Sequence, residues 1–255
     1  MSVNFFYYNL ISQDISSFSA TNENAEYPLT NLKTDFTSDV FRSTAATDSI
    51  VIDLGVISDI DSFIVRPSFG GSWGHGDLQL QANATDEWSA PSVDITVTVN
   101  QSKRIAYYLF PATQSYRFWR ITGTGSSIFE MSNAFLGTKY VPTCNFDYGL
   151  AFRSLDLSTV EKNRYGQRFS DKIGKQITFS AQLSLFDKDE MDNLTAFFSY
   201  VGITEPWWMI VDPDATIVND AETLSGQFYY NEEPGFVIPF FERFNTTSLE
   251  IEECL

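Results

Sequence analysis

Strict alternation of apolar and polar residues is the feature that most narrows the folds open to this chain. Ile177, Phe179, Ala181, Leu183 and Leu185 alternate with Thr178, Ser180, Gln182 and Ser184. Val93, Ile95, Val97 and Val99 alternate with Asp94, Thr96 and Thr98, and Ile50, Ile52 and Leu54 with Val51 and Asp53. Leu78, Leu80 and Ala82 are separated by glutamines. Successive side chains of a strand point to opposite faces, so a period of two marks a strand with one buried face. Further strand-like runs are Phe63–Arg66, Ile105–Phe110, Tyr116–Thr122 and Ile128–Leu136. Many short strands punctuated by Gly, Pro, Asn and Asp predict a β-sandwich for the first half.

The period changes once, after Leu185. Met191, Leu194, Phe198 and Val201 fall on one helical face, with Phe197 beside it. Asp187 is placed as N-cap, Glu190 completes a capping-box-like pair, and Gly202 stands where a helix ends. The spacing therefore predicts a helix over about 187–201. Strands resume at Trp207–Val211, Gly226–Tyr230, Gly235–Phe240 and Ser248–Glu252. The turn-like run Tyr140-Val141-Pro142-Thr143 divides the chain into two mainly β domains, 1–143 and 144–255. Residues 1–20 are expected to form an arm or strand. Within it the aromatic run Phe5-Phe6-Tyr7-Tyr8 is a candidate assembly contact, docked on its own chain or on a neighbour.

Composition excludes several function classes. The 255 residues carry 16 Lys+Arg against 33 Asp+Glu, a net charge of −17, the wrong sign for neutralising a phosphate backbone. A single His removes a His-rich metal centre, and two Cys remove a disulfide scaffold. No secretory leader is visible at the N-terminus. No apolar run is long enough for a membrane-spanning helix, and Cys144 and Cys254 are expected as free thiols. The acidity is uneven: residues 1–143 hold 8 basic and 14 acidic side chains, residues 144–255 hold 8 and 19.

Particular stretches resemble known families. Pro28, Leu29, Asn31 and Leu32, then Val40-Phe41-Arg42-Ser43, Ile50–Gly55, Tyr116–Ile121 and Ile128–Gly137 follow the order of motifs in a discoidin-type domain. That family, also called F5/8 type C, is a galactose-binding-like jelly-roll β-sandwich. Phe41 stands where the family usually has Trp, and the stapling cysteines of extracellular members are absent. The second half resembles tail proteins of long-tailed bacteriophages (siphophages, distal tail-type). The likeness lies in the strand Lys175–Leu185, the acidic helix ending at Gly202, the run Trp207–Pro213, Gly226-Gln227-Phe228-Tyr229 and the acidic strand Ser248–Glu253. The two resemblances together imply a structural virion protein of a tail tip or baseplate. It would be assembled in the host bacterial cytoplasm with other tail proteins, as a ring or as symmetric copies. The alternative is a carbohydrate-binding module for host glycan adsorption. Neither implies nucleic-acid binding, membrane insertion or an enzyme.

The candidate sites follow from side-chain chemistry. The segment Phe69–Asp77 carries four glycines, Trp73 and the lone His75. An exposed Trp stacks on the apolar face of a sugar, and His and Asp bond hydroxyls. Trp73, His75, Asp77 and, from a second loop, Trp88 are thus candidate glycan contacts, although packing is the commoner use of a Trp. Arg117 and Arg120 suit either structural stacking or a ligand clamp. Asp35 and Asp39 flank the opening turn, where the discoidin resemblance implies Ca²⁺ in some members; no other cofactor is implied. Asp187–Glu190 and Asp212-Pro213-Asp214 have the look of paired carboxylates, but capping and turn chemistry account for them, so no catalytic residue is assigned.

Overall fold

The computed structural model describes residues 3–13, 16–34, 38–45, 48–67, 77–100, 105–123, 128, 130–147, 151–171, 173–211 and 226–254. The chain is mainly β and divides into two compact units, one of residues 8–139 and one of residues 1–7 with 140–255. The second unit begins with β1 (Asn4–Phe6). The first contains β2 (Ser17–Ala20), a short 3-10 turn at Leu29–Lys33, β3 (Phe41–Arg42), β4 (Ser49–Pro67), β5 (Leu78–Asn83), β6 (Val93–Val97), β7 (Val99–Asn100), β8 (Ile105–Gly123) and β9 (Glu130–Gly137).

The 8–139 unit is a sandwich because β4 and β8 are each shared between two layers. Residues 50–53 of β4 pair with β2 on one side, 49–53 pair with 118–122 of β8 on the other, and β5 and β6 extend that layer. Farther along, 62–66 of β4 pair with β9 and with 106–109 of β8, and β3 and β7 flank this second layer. Inward residues of both layers, among them Ile52, Leu80, Trp119, Phe63, Ala106 and Leu136, meet in one core. Sequence periodicity predicts each long strand as two short ones. Continuity comes from irregular crossings. Gly55 turns at φ +75° with its N–H on Asp53 Oδ1 at 2.8 Å. Pro111, which has no N–H to donate, falls between the pairs Ser62–Leu109 and Ile60–Gln114, where the ladder is interrupted.

The second unit is built on a six-stranded antiparallel sheet in the order β1-β14-β15-β18-β13-β10. Its strands are β10 (Ala151–Asp156), β13 (Lys175–Ala181), β14 (Trp207–Ile210), β15 (Gly226–Tyr230) and β18 (Leu249–Glu253). Two hairpins lie off this sheet: β11 (Thr159–Lys162) pairs with β12 (Arg168–Asp171), and β16 (Phe236–Phe240) with β17 (Arg243–Thr246), whose Phe244 also bridges Phe186. The helix α1 spans Lys188–Val201 and buries Leu194, Phe197, Phe198 and Val201 against the sheet's core. Asp187 caps it by accepting from the Glu190 N–H at 3.0 Å. The reciprocal half of the expected box is replaced: the buried Glu190 carboxylate instead accepts from the Tyr140 hydroxyl and from the Thr143 N–H at 3.1 Å. Burial, with this carboxylate as neighbour, holds the Tyr140 phenol far above its ordinary range.

The expectation for residues 1–20 is corrected in part. Residues 1–7 belong with 140–255, because β1 pairs with β14 in the register Asn4–Ile210, Phe5–Met209, Phe6–Trp208. Phe5 stacks on Phe197 at 5.2 Å and meets Trp207 edge-on at 5.2 Å. Phe5 and Phe6 are fully buried in their own chain, Tyr7 is half-buried and Tyr8 exposed. Phe5 and Phe6 are therefore core residues rather than a surface left for a neighbour.

Candidate functional site

The alternation that builds the core of the 8–139 unit also builds its outer face. With Ile50, Ile52, Trp119 and Ile121 turned inward, Ser49, Val51, Arg120 and Thr122 are turned outward. Register aligns them with the outward residues of β5 and β6. Val51, Arg120, Gln81 and Asp94 form one cross-strand row, and Ser49, Thr122, Gln79 and Thr96 the next. The face is thus polar across four strands, and its polar groups bond one another. Gln81 Oε1 accepts from Arg120 Nε at 2.8 Å, Gln81 Nε2 donates to Asp94 Oδ1 at 3.0 Å, and Gln79 donates to the same carboxylate.

Trp88 completes this network. The Arg120 guanidinium lies 4.6 Å from the centre of the Trp88 ring, and the indole N–H donates to Asp86 Oδ1 at 2.7 Å. One ring face is occupied by a cation and the ring edge is tethered, so both the plane and the rotation of the indole are set. Burial lowers the proton affinity of the Arg120 guanidinium from its ordinary value, with Asp94 and Asp86 opposing. The group stays charged.

Beside this row lies a cavity of about 260 Å³ lined by Thr21, Asn22, Asp48, Ser49, Arg120 and Thr122. Thr21 and Asn22 come from the turn after β2, Asp48 and Ser49 from the start of β4, and Arg120 and Thr122 from β8. Asp48 is 4% exposed. Its Oδ1 accepts from the Ser49 N–H at 2.8 Å, and its carbonyl accepts from the Gly123 N–H at 3.3 Å. Among the described residues, the buried atoms Asp48 Oδ2 and Thr122 Oγ1 have no hydrogen-bond partner. An orphaned buried acceptor costs about 1–3 kcal/mol, more if charged. Both residues line the cavity.

The sequence-derived candidates fare differently. Trp73 and His75 lie outside the described residues. Asp77 is exposed and precedes Leu78, which pairs with Gly123 at one end of β5; Trp88 follows Asn83 at the other end. At about 3.3 Å per residue, the six residues of β5 separate the two by well over the width of a sugar ring, so they do not share one concavity. Trp88 instead joins Arg120. Arg117 is a structural arginine: it grips Asp53 with two bonds of 2.6 and 2.8 Å and stacks on Phe118 at 4.8 Å. Asp35 lies outside the described residues, and Asp39 is half-buried and accepts from the Ser38 hydroxyl at 3.5 Å. No group of three or more His, Cys, Asp or Glu side chains suited to a metal ion occurs among the described residues. Asp187 is occupied by capping, and Asp212 and Asp214 lie outside the described residues. Sequence reasoning missed Asp48, Ser49, Thr21, Asn22 and Thr122. The available signal was that Ser49 and Thr122 keep the outward phase of strands already recognised.

No protein-family model and no curated protein sequence matches the chain. Solved structures are similar over about half of it. The family 32 carbohydrate-binding module of Clostridium perfringens NanJ, in complex with galactose, is 16% identical over 52% of this chain and 98% of that module, with a TM-score of 0.42. A C. perfringens module in complex with GalNAc-β-1,3-galactose is 12% identical over 51% of this chain and all of its own length, at 0.42. A Streptococcus pneumoniae fucose binding module is 7% identical over 51% of this chain and 95% of its own, at 0.45. At these values the likeness assigns no role to any residue here.

Proposed function

We propose that the 8–139 unit binds one saccharide unit of a glycan in the cavity around Asp48 and Arg120, and that it does so without catalysis. The observation that carries this is that Asp48 and Thr122, each with a buried side-chain oxygen that has no hydrogen-bond partner among the described residues, line a cavity of about 260 Å³ together with Arg120. That volume sits just below the ~300–1,000 Å³ of drug-sized pockets, which suits one sugar ring rather than an extended chain. A carboxylate oxygen accepts from sugar hydroxyls, a guanidinium donates to them, and the Ser, Thr and Asn groups do either. One carboxylate beside one guanidinium holds a polyhydroxylated ligand by charge-assisted bonds. Among the described lining residues Asp48 is the one carboxyl group, whereas glycoside hydrolysis uses two.

The test is a glycan array, followed by calorimetric titration of the best ligand against the full chain and its Asp48→Asn variant. The variant preserves shape and removes the charge. We expect affinity to fall about tenfold or more, the worth of a hydrogen bond to a charged group. Equal affinity in both proteins, or no glycan retained by the unaltered chain, would reject the site.

A second reading places this binding within a bacteriophage tail tip or baseplate, where the chain is a structural part that also contributes to host attachment. What supports it is the exposed apolar surface of the 140–255 unit, which includes Tyr165, Phe169, Ile173, Ile203, Ile238 and Phe241. Surface of that kind is what assembly covers. Mass-spectrometric analysis of purified particles decides it, since a structural part is present in every virion.

A further inference from the structure

The cavity of the 8–139 unit carries an unbalanced charge. Asp48 is buried, and its Oδ2 has no hydrogen-bond partner among the described residues. It forms no salt bridge with any of them either. Other described cations of the unit are engaged elsewhere. Arg42 bonds Glu130, Arg117 bonds Asp53, and Lys33 donates to the Ser16 carbonyl at 2.6 Å. Arg66 belongs to the part of β4 that pairs with β9. In the sequence, Ala46-Thr47 before Asp48 and Thr124–Ser127 after Gly123 contain no basic residue.

Arg120 does not make up the deficit. Its Nε and Nη2 both donate to Gln81 Oε1, and the guanidinium lies over the Trp88 ring. Asp94 and Asp86 already act on its charge. One guanidinium thus stands against three carboxylates, Asp48, Asp86 and Asp94. Residues 8–139 hold eight basic and fourteen acidic side chains, so the wider field adds to the local one. A buried carboxylate without a counter-ion is costly, and a cation on the ligand removes that cost. Charge acts over several ångström where water is scarce, so the preference needs no direct bond to Oδ2.

We infer, resting on the saccharide reading, that the cavity selects a sugar unit bearing a free, protonated amine over the N-acetylated, neutral and carboxylated forms of the same ring. Ring hydroxyls are served by Thr21, Asn22, Ser49 and Thr122, which any sugar satisfies. The amine is the group that answers Asp48, and an acidic sugar meets it with like charge.

The test is calorimetric titration of the full chain with two probe series, methyl glycosides of glucosamine and of galactosamine. Each is compared with its N-acetyl, parent-hexose and uronic-acid counterparts. We expect the amine of at least one series to bind about tenfold or more tighter than its N-acetyl and parent forms, and the uronic acid to bind weakest. The advantage should shrink between about 0.1 M and about 1 M salt, as the screening length falls from about 10 to about 3 Å. Asp48→Asn should bring the amine down to the level of the parent sugar. If that variant fails to fold, a pH series on the unaltered protein replaces it, and the advantage should vanish as the sugar amine loses its proton. Equal binding of amine, N-acetyl and parent sugars would overturn this inference and leave the saccharide reading standing. So would an amine preference that survives Asp48→Asn, or a glycan array that retains only amine-free ligands. An array that retains no glycan, with no probe bound, overturns both.

Discussion

At the scale of single residues, polar groups in this protein are assigned by register. Asp53 and Arg117 are near neighbours across the β4–β8 ladder and pair through two hydrogen bonds. The Arg117 hydrogen bonds are the main cause that lowers the Asp53 carboxyl below its ordinary range; the Gly55 N–H also lowers it, while burial opposes. A carboxyl depressed in the folded state stabilises it fully above the unfolded value of ~4, and that contribution is lost as pH falls through the folded value. Asp53→Asn should therefore lower the denaturation midpoint at neutral pH, with the gap to the unaltered protein closing as pH falls below about 4. The effect is modest and shrinks in salt, because both side chains keep substantial exposure. A gap that persists unchanged into acid would show that packing rather than charge is responsible. Asp48, one residue before the same strand, has one oxygen bonded to backbone and the other to no described group, and the proposed saccharide site rests on it.

At the scale of elements, β1 shows how far an aromatic run can act from its place in the chain. Phe5 lies in a cage of Tyr140, Phe146, Phe197 and Trp207, with centroids 5.2 to 6.1 Å away. Truncation of a fully buried Phe costs about 3–5 kcal/mol through lost transfer energy and the cavity left behind. Phe5→Ala should remove about that much stability from the unit containing residues 140–255, as read by chemical denaturation, with Phe5→Leu costing less. A loss below about 1 kcal/mol would mean that the sheet does not depend on its first strand. The helix tells a related story. Its cap forms as local spacing requires, while Glu190 abandons the box for Tyr140 and Thr143, partners 47 and more residues away.

At the scale of the whole molecule, the chain is one β unit with another inserted into it. Residues 5 and 140 bond each other's backbone in both directions, at 2.9 and 2.8 Å, so both ends of the insertion leave from one point of the receiving unit. A unit with its own core and adjacent ends is separable. Replacing residues 8–139 with a short flexible turn should leave a folded product, with a cooperative melt and the near-ultraviolet signal of the Trp207 cluster. A chain starting at residue 144 lacks Phe5 and Tyr140 and should be clearly less stable than that product. If both melt alike, the first seven residues are dispensable to the unit.

The sequence by itself determined the class of the molecule and most of its strands, because alternation and capping are local. Ile50–Leu54, Leu78–Ala82, Val93–Val97, Ile177–Ala181 and the helix after Asp187 stand where their periods place them. The exposed β11 and β12 left no trace in the pattern, since a strand without a buried face has no reason to alternate. Only the tertiary structure decided that β4 and β8 each run through two layers, that residues 1–7 complete the later unit, and that Trp88 lies on Arg120 rather than beside Asp77. The cavity belongs to that second group. Thr21, Asp48, Arg120 and Thr122 are scattered over a hundred residues and become neighbours only through antiparallel register. Register is set by the burial of the inward residues, so the outward ones that make the site are carried into place by side chains that never touch it.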